Sequence, residues 1–404
     1  MDTPRRKLRN LHMENVQNNS TPIRIPPSPM LKTLGHGTGV SVYRLDRSPK
    51  HGQIRSPWAV KRITQRTRAK KEMVYNERIV HEAAILRKLN HPNIVGFRGV
   101  IKTPEGIDTL ALEMCSTSLG SILEERHDED LGPLPAKHTF KMIMDIAHAL
   151  DFLHCEARLL HGDLKSFNVL VKGEFEICKL CDFGVTLPLD ENGEISFQKN
   201  PHLQYVGTTI WSPPEIIDEV EIIDSKADIF SFGLIIYETL ALVPPHTLEL
   251  DAAFNSSNNT MDMDSSQELP QRKQLSYGND DSLTATTTTS KDTTPAEESI
   301  DEDDDGDGDG DGDGDGDTDT DADEDDTKEN DISDYSMTHL EQAYGTRPPL
   351  PVAFQLSDDY NCIVELFYLC TNALSEDRPA ARTIWQCFEN NAANVATACD
   401  VSSD

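Results

Sequence analysis

An aspartate, a lysine and an asparagine stand close together in His161-Gly162-Asp163-Leu164-Lys165-Ser166-Phe167-Asn168, and a second aspartate follows in Asp182-Phe183-Gly184. The chemistry this order suits is phosphoryl transfer. Asp163 can accept the proton of an incoming hydroxyl, and Lys165 can neutralise charge on a migrating phosphoryl group. Asn168 and Asp182 can hold Mg²⁺ against nucleotide phosphates. Any one of these residues alone would read as a turn former; their order, with Phe183 and Gly184 behind the second aspartate, gives the segment its meaning.

Such a site needs elements that grip the phosphates, and the sequence upstream supplies candidates. Leu34-Gly35-His36-Gly37-Thr38-Gly39-Val40-Ser41-Val42-Tyr43 reads as strand, glycine turn, strand, a turn whose backbone N–H groups can close over phosphates. Val40 stands where a third glycine is expected, with Gly39 one place early. Trp58-Ala59-Val60-Lys61 reads as a buried strand ending in a lysine that can reach the α- and β-phosphates. Lys70 to Asn90 has helical spacing, with Ile79, Ala83, Leu86 and Leu89 on one side and a stop at His91-Pro92. Glu82 on that helix is assigned to Lys61. Strands are expected over Asn93 to Val100 and Thr109 to Met114. The backbone of Glu113-Met114-Cys115 is expected to hold adenine, with Leu112 guarding the pocket behind it.

Downstream, Ser118 to Arg126 and Pro135 to His154 are helical in pattern, the second through Phe140, Ile143, Ile146, Ala147, Leu150 and Leu153. Gly207-Thr208-Thr209-Ile210-Trp211-Ser212-Pro213-Pro214-Glu215 closes the long segment after Gly184, and Glu215 is expected to pair with Arg378. Asp228 opens a buried helix and is expected to cap the backbone of the catalytic loop. Tyr360 to Leu369 and Thr383 to Phe388 read as the last helices.

Composition divides the chain sharply. It has 404 residues and a net charge of −33, but 29 acidic and 4 basic residues between Asp251 and Asp334 supply −25 of that charge. What remains is an ordinary domain with a net charge of −8. The acidic stretch, with its Asp-Gly repeat from Asp305 to Asp317, cannot bury a core and reads as disordered. It offers no calcium loop either, since the best window, Asp313 to Glu324, has Thr318 where glycine is required. Ile229 to Val243 is the most apolar helix-like run; it is short and carries Glu238, so no membrane span is expected. A nucleic-acid partner is not expected. The N-terminus opens on Arg5-Arg6-Lys7-Leu8-Arg9 with no apolar stretch behind it, so no export signal is read. Eight irregularly spaced cysteines then read as reduced thiols of a cytoplasmic or nuclear protein.

Together these residues resemble the eukaryotic protein kinases over about Leu31 to Asn390. Leu187-Pro188-Leu189-Asp190-Glu191-Asn192, Lys226-Ala227-Asp228-Ile229-Phe230 and Gly345-Thr346-Arg347-Pro348-Pro349 are similar to a group related to the MAP kinase kinases. The resemblance implies an α+β, two-lobed protein kinase fold, with a small β-rich N-lobe over 31–113 and a larger helical C-lobe over 116–390. A disordered insert over 249–336 interrupts the C-lobe, a basic arm over 1–30 precedes the domain and a tail over 391–404 follows it. ATP and Mg²⁺ are the implied cofactors. Leu34, Gly35, Gly37, Gly39, Val42, Ala59, Lys61, Glu82, Leu112, Glu113, Cys115 and Leu170 are the implied nucleotide pocket. Asp163, Lys165 and Asn168 are the implied catalytic residues, Asn168 and Asp182 the implied metal ligands, and Thr208, Glu215, Asp228 and Arg378 the implied supports.

The resemblance also implies a mitotic serine/threonine or dual-specificity kinase of cytoplasm and nucleus, acting on proteins that include MAP kinases. Thr3-Pro4-Arg5-Arg6 suits an upstream cyclin-dependent kinase, and Ser196 and Thr209 are further candidate phosphosites. Members of the group end in a ligand for PDZ domains; Asp404 is charged and does not suit an apolar PDZ pocket. A different class of function, a pseudokinase scaffold, draws on Val40, on Gly162 where arginine is usual, and on Pro213 where alanine is usual. None of the three supplies an atom to transfer. Because loop-closure entropy grows only logarithmically with length, replacing residues 251–334 by a short Gly/Ser linker should leave turnover of a small peptide nearly unchanged. A large fall in turnover or melting temperature would show that the stretch packs on the kinase.

Overall fold

The computed structural model describes residues 32–37, 40–50, 53–63, 69–102, 108–248, 342–352 and 354–389. Thr3, Gly39, the acidic stretch and Asp404 lie outside the described residues.

Five strands build the N-terminal sheet: β1 (Lys32–Gly37), β2 (Val40–Lys50), β3 (Gln53–Ile63), β4 (Phe97–Lys102) and β5 (Asp108–Glu113). Their order is β1-β2-β3-β5-β4, with antiparallel neighbours throughout. The two-residue period of a strand sorts the side chains. Tyr43, Leu45 and Val60 bury one face, while Leu110 and Leu112 bury the other beneath helix α1 (Ala69–Leu86). Ile79, Ala83 and Leu86 lie on the buried stripe of α1, so Glu82 comes down beside the strand that carries Lys61.

The C-terminal part is helical. Helix α2 (Leu119–Asp128) begins after β6 (Thr117–Ser118), and the Ser118 hydroxyl accepts the Ser121 N–H at 3.1 Å as its cap. Helix α3 (Ala136–Asp151) runs into a π-helical turn over Phe152–Ala157. Short strands follow: β7 (Leu159–Leu160), β8 (Val169–Lys172), β9 (Ile177–Leu180), β10 (Leu187–Pro188), β11 (Glu194–Ser196) and β12 (Ile222–Asp224). They form a β6-β8-β9 sheet and two small ladders, β7-β10 and β11-β12. The single turn α4 (Pro214–Ile217) precedes α5 (Lys226–Ala241), which is apolar on nearly every side and buried from Ala227 to Ala241. A helix with no polar face belongs inside, and α3 and α6 (Asn361–Cys370) enclose it, with a final helix α7 over 381–389.

Several boundaries differ from the sequence reading. β4 starts at Phe97 rather than Asn93, and β5 at Asp108 rather than Thr109. The physical reason at Asn93 is competition from the other lobe. The Asn93 carbonyl accepts Leu180 N–H at 2.8 Å, Val95 N–H reaches the Leu180 carbonyl at 2.9 Å, and the Asn93 amide donates to the Cys178 carbonyl at 3.0 Å. These groups stitch the loop after α1 to β9, so they are not free for the N-terminal sheet. Helix α1 also stops at Leu86, short of Asn90.

Candidate active site

The loop between β7 and β8 presents Asp163, Lys165 and Asn168, and the turn after β9 presents Asp182. One Asp163 oxygen accepts both the N–H and the hydroxyl of Thr208, at 3.1 and 2.6 Å. Its other oxygen lies 3.1 Å from the Asn168 amide nitrogen and 3.2 Å from the Lys165 ammonium. Lys165 also donates to the Thr208 hydroxyl at 2.8 Å, and Asn168 to the Asp163 carbonyl at 2.7 Å. A carboxylate fixed in this way by neighbours that donate to it can take a proton at a defined position.

Across the cleft, Lys61 on β3 donates to Glu82 of α1 at 2.9 Å and to Asp182 at 2.7 Å. Asp182 has φ of +63°, a left-handed conformation that aspartate tolerates better than bulky residues. Burial alone would lower the Lys61 pKa, but Asp182 and Glu82 outweigh it and hold the group well above its ordinary value. Burial pushes Glu82 up to about 6 against the pull of Lys61. Burial also disfavours charge on Asp182, yet Lys61, helped by Lys165 and His161, brings that carboxyl down to about 2. The cleft therefore holds an ammonium between two carboxylates of opposite tendency.

Five of the pocket residues read from sequence share one face of the N-terminal sheet. Gly35 pairs with Val42, Val42 with Lys61, and Ala59 with Leu112, so these positions line up across neighbouring strands. Leu34 is exposed and Gly37 closes β1 opposite Val40. Leu170 lies half-buried on β8, and Cys115 is buried after β5. Glu113 adds something the sequence reading missed. Its carboxylate turns to Lys172 and Lys179, each at 3.2 Å, and accepts the Gly96 N–H at 3.2 Å, which ties the strand connection to both lobes.

Behind the loop stands Asp228 of α5. It accepts the N–H groups of His161 and Gly162 at 2.8 and 3.0 Å and pairs with His154 Nε2 at 2.8 Å. Glu215 meets Arg378 in a two-pronged pair at 2.6 and 2.8 Å. Ser196 lies in β11, its hydroxyl accepting Lys199 N–H at 3.3 Å, and Thr209 opens a short 3-10 turn.

Glu238 was missed as well. This buried carboxylate accepts the Ser166 hydroxyl at 2.6 Å, the Ser166 N–H at 3.2 Å and the Trp211 indole N–H at 2.9 Å. Burial pushes it up to about 7, against the stabilising bonds from Ser166 and Trp211. The available signal was a lone glutamate in the apolar run of α5.

Residues 29–299 match the model of the protein kinase domain, and the chain belongs to the protein kinase family. Along most of its length it is similar to the lymphokine-activated killer T-cell-originated protein kinase of Homo sapiens, with 36% identity over 374 residues, 92% of this chain and 93% of the human protein. It is also similar to dual specificity protein kinase shkE of Dictyostelium discoideum, 28% identical over 244 residues, 59% of this chain and 32% of that protein. MAP3K epsilon protein kinase 1 of Brassica napus is 33% identical over 168 residues, 42% of this chain and 12% of that protein. The chain is thus an ATP-using enzyme that phosphorylates protein substrates.

Proposed function

We propose that this chain is an active Mg²⁺-dependent kinase for serine and threonine hydroxyls, with Asp163 as the proton acceptor and Lys165 as the partner of the transferred phosphoryl group. Lys61, oriented by Glu82, holds the nucleotide phosphates, and the backbone of Glu113 to Cys115 holds adenine. Asn168 and Asp182 are the metal ligands. An amide and a carboxylate offer hard oxygen donors, the partial shell Mg²⁺ takes when phosphates and water complete it. Bound with ATP, the ion neutralises charge on the phosphates. The observation that carries the reading is Lys61 held 2.9 Å from Glu82 and 2.7 Å from Asp182. A scaffold that binds no nucleotide has no need of that arrangement.

The cellular setting is proposed on the resemblance: mitotic signalling in cytoplasm and nucleus, MAP kinases among the substrates, and a cyclin-dependent kinase acting on Thr3. The test uses Leu112→Gly, which opens the pocket to an ATP analogue enlarged on adenine and carrying a transferable thiophosphate. In a mitotic extract, thiophosphate should appear on serine and threonine of specific proteins. Label no greater than that given by Leu112→Gly with Lys61→Met added would refute the activity; label confined to tyrosine would overturn the serine/threonine assignment.

Gly162 bears on control. It has no side chain to meet a phosphate on the activation segment, and a charge-assisted contact of that kind is worth about 1.5 to 3 kcal/mol. Lys199, a candidate substitute, lies in the β11 region beside Ser196 and Asp190, and the side chain that approaches Gly162 is Tyr205 instead. Peptide turnover by enzyme phosphorylated on Ser196 and Thr209 should therefore differ little from that of phosphatase-treated enzyme or of the double variant Ser196→Ala, Thr209→Ala. A loss of a hundredfold on removing the phosphates, about 2.7 kcal/mol, would contradict this.

A further inference from the structure

Gly162 and Gly207 lie against each other, and the ring of Tyr205 lies against both. Gly162 has φ of +76°, and a Cβ there would sit 3.3 Å from the Val185 carbonyl oxygen and 3.9 Å from Tyr205 Cε2. A Cβ on Gly207 would clash with the Gly162 carbonyl and would come within 2.6 Å of Tyr205 Cε1. Both positions thus let the activation segment approach the catalytic loop, backbone to backbone.

The tyrosine is anchored on its other sides too. Its ring packs on the small cluster formed by Leu160, Leu187 and Ala227 with their neighbours. Its hydroxyl is directed towards Ser212 and Ser231. Burial, with Asp228 and Asp163 close by, pushes its ionisation well above the ordinary phenol range. Three residues along the chain, Thr208 makes its two bonds to Asp163, at 3.1 and 2.6 Å, and receives one from Lys165, at 2.8 Å.

We propose that Tyr205 is a positioning residue for phosphoryl transfer: its ring, seated on the bare backbone of Gly162 and Gly207, holds the activation segment so that Thr208 engages Asp163 and Lys165 without a phosphate. This rests on the roles assigned to Asp163 and Lys165 above. The ring fills space beside a position that elsewhere in the family carries an arginine, so packing replaces ion pairing as the tether. A phosphate on Tyr205 would enter next to Asp228 and Asp163, and like-charge repulsion would release the segment. Phosphorylation at this position then inactivates the enzyme.

The test uses the full chain, phosphatase-treated, with active sites titrated so that rates refer to folded protein. Tyr205→Phe keeps the ring and should retain kcat within about threefold. Tyr205→Ala should lower kcat for peptide about thirtyfold or more while leaving KM for ATP within twofold. Tyr205→Leu keeps apolar volume without a flat ring, guards against misfolding of the alanine variant, and should show the same split. Residues that act through one another are not additive, so Tyr205→Leu combined with Thr208→Val should be no slower than Thr208→Val alone. Wild-type kcat in Tyr205→Leu, or losses that multiply in full with Thr208→Val, would overturn the proposal. Because Thr208→Val and Asp163→Asn are measured in the same series, failure of the Asp163 assignment would show separately as an Asp163→Asn enzyme of normal rate.

Discussion

Asp182→Asn should lower phosphate transfer by at least a thousandfold, a loss of about 4 kcal/mol in transition-state stabilisation, while leaving the fold intact. The substitution is nearly isosteric and the side chain is 40% exposed, so packing is barely disturbed. The charge offered to the metal is what disappears. Lys61→Met should cost as much activity for the complementary reason, since it removes the ammonium that Glu82 and Asp182 share at 2.9 and 2.7 Å. Purified variants incubated with labelled ATP and Mg²⁺ decide the point, and a wild-type rate in Asp182→Asn would remove the metal-ligand assignment.

The largest effect on stability should come from Arg378. Its guanidinium is fully buried; besides the two bonds to Glu215 it donates to the carbonyls of Lys226, Asn372 and Ala373 at 3.0, 2.7 and 3.0 Å. Arg378→Met keeps much of the volume but leaves the largely buried Glu215 carboxylate uncompensated. Removing one partner of such a pair costs about 3 to 5 kcal/mol, and the melting temperature should fall by on the order of 10 °C. Adding Glu215→Leu should recover much of the loss, because replacing both partners of a buried pair with apolar groups is often near neutral. Thermal unfolding of the two variants reads this directly; a single variant as stable as wild type would show that the pair contributes little.

The contrast between what the chain discloses and what it hides follows from distance along the sequence. His161 to Asn168 is legible because its groups serve one reaction from one turn of backbone, so spacing alone carries the information. Lys61 and Glu82 are 21 positions apart but lie on a strand and a helix of clear period, which makes their 2.9 Å contact a reasonable expectation. Glu238 and Ser166 are separated by 72 positions, and a lone glutamate in an apolar helix signals a buried carboxylate without naming its partners. The same is true of Glu113, whose backbone role is readable as a connection between lobes while its side-chain partners Lys172 and Lys179 come from a hairpin far downstream. Asn93 shows the opposite failure. Its surroundings look like strand, but β9 of the other lobe takes its hydrogen-bonding groups first. Tyr205 illustrates a further limit, because a glycine in place of arginine reveals only that something is missing. What fills the space emerges once the fold brings Gly162, Gly207 and the tyrosine ring together.

The central claim is that this chain transfers phosphate rather than merely binding nucleotide. The direct measurement incubates the purified, phosphatase-treated full chain with Mg²⁺ and ATP and a degenerate mixture of peptides bearing serine, threonine or tyrosine, then quantifies ADP and phosphopeptides by mass spectrometry. ADP and phosphopeptide should appear in equal amounts, with modification on serine and threonine and none when Mg²⁺ is withheld. Saturable nucleotide binding with no phosphopeptide anywhere in the mixture would contradict the claim and leave the scaffold reading in its place.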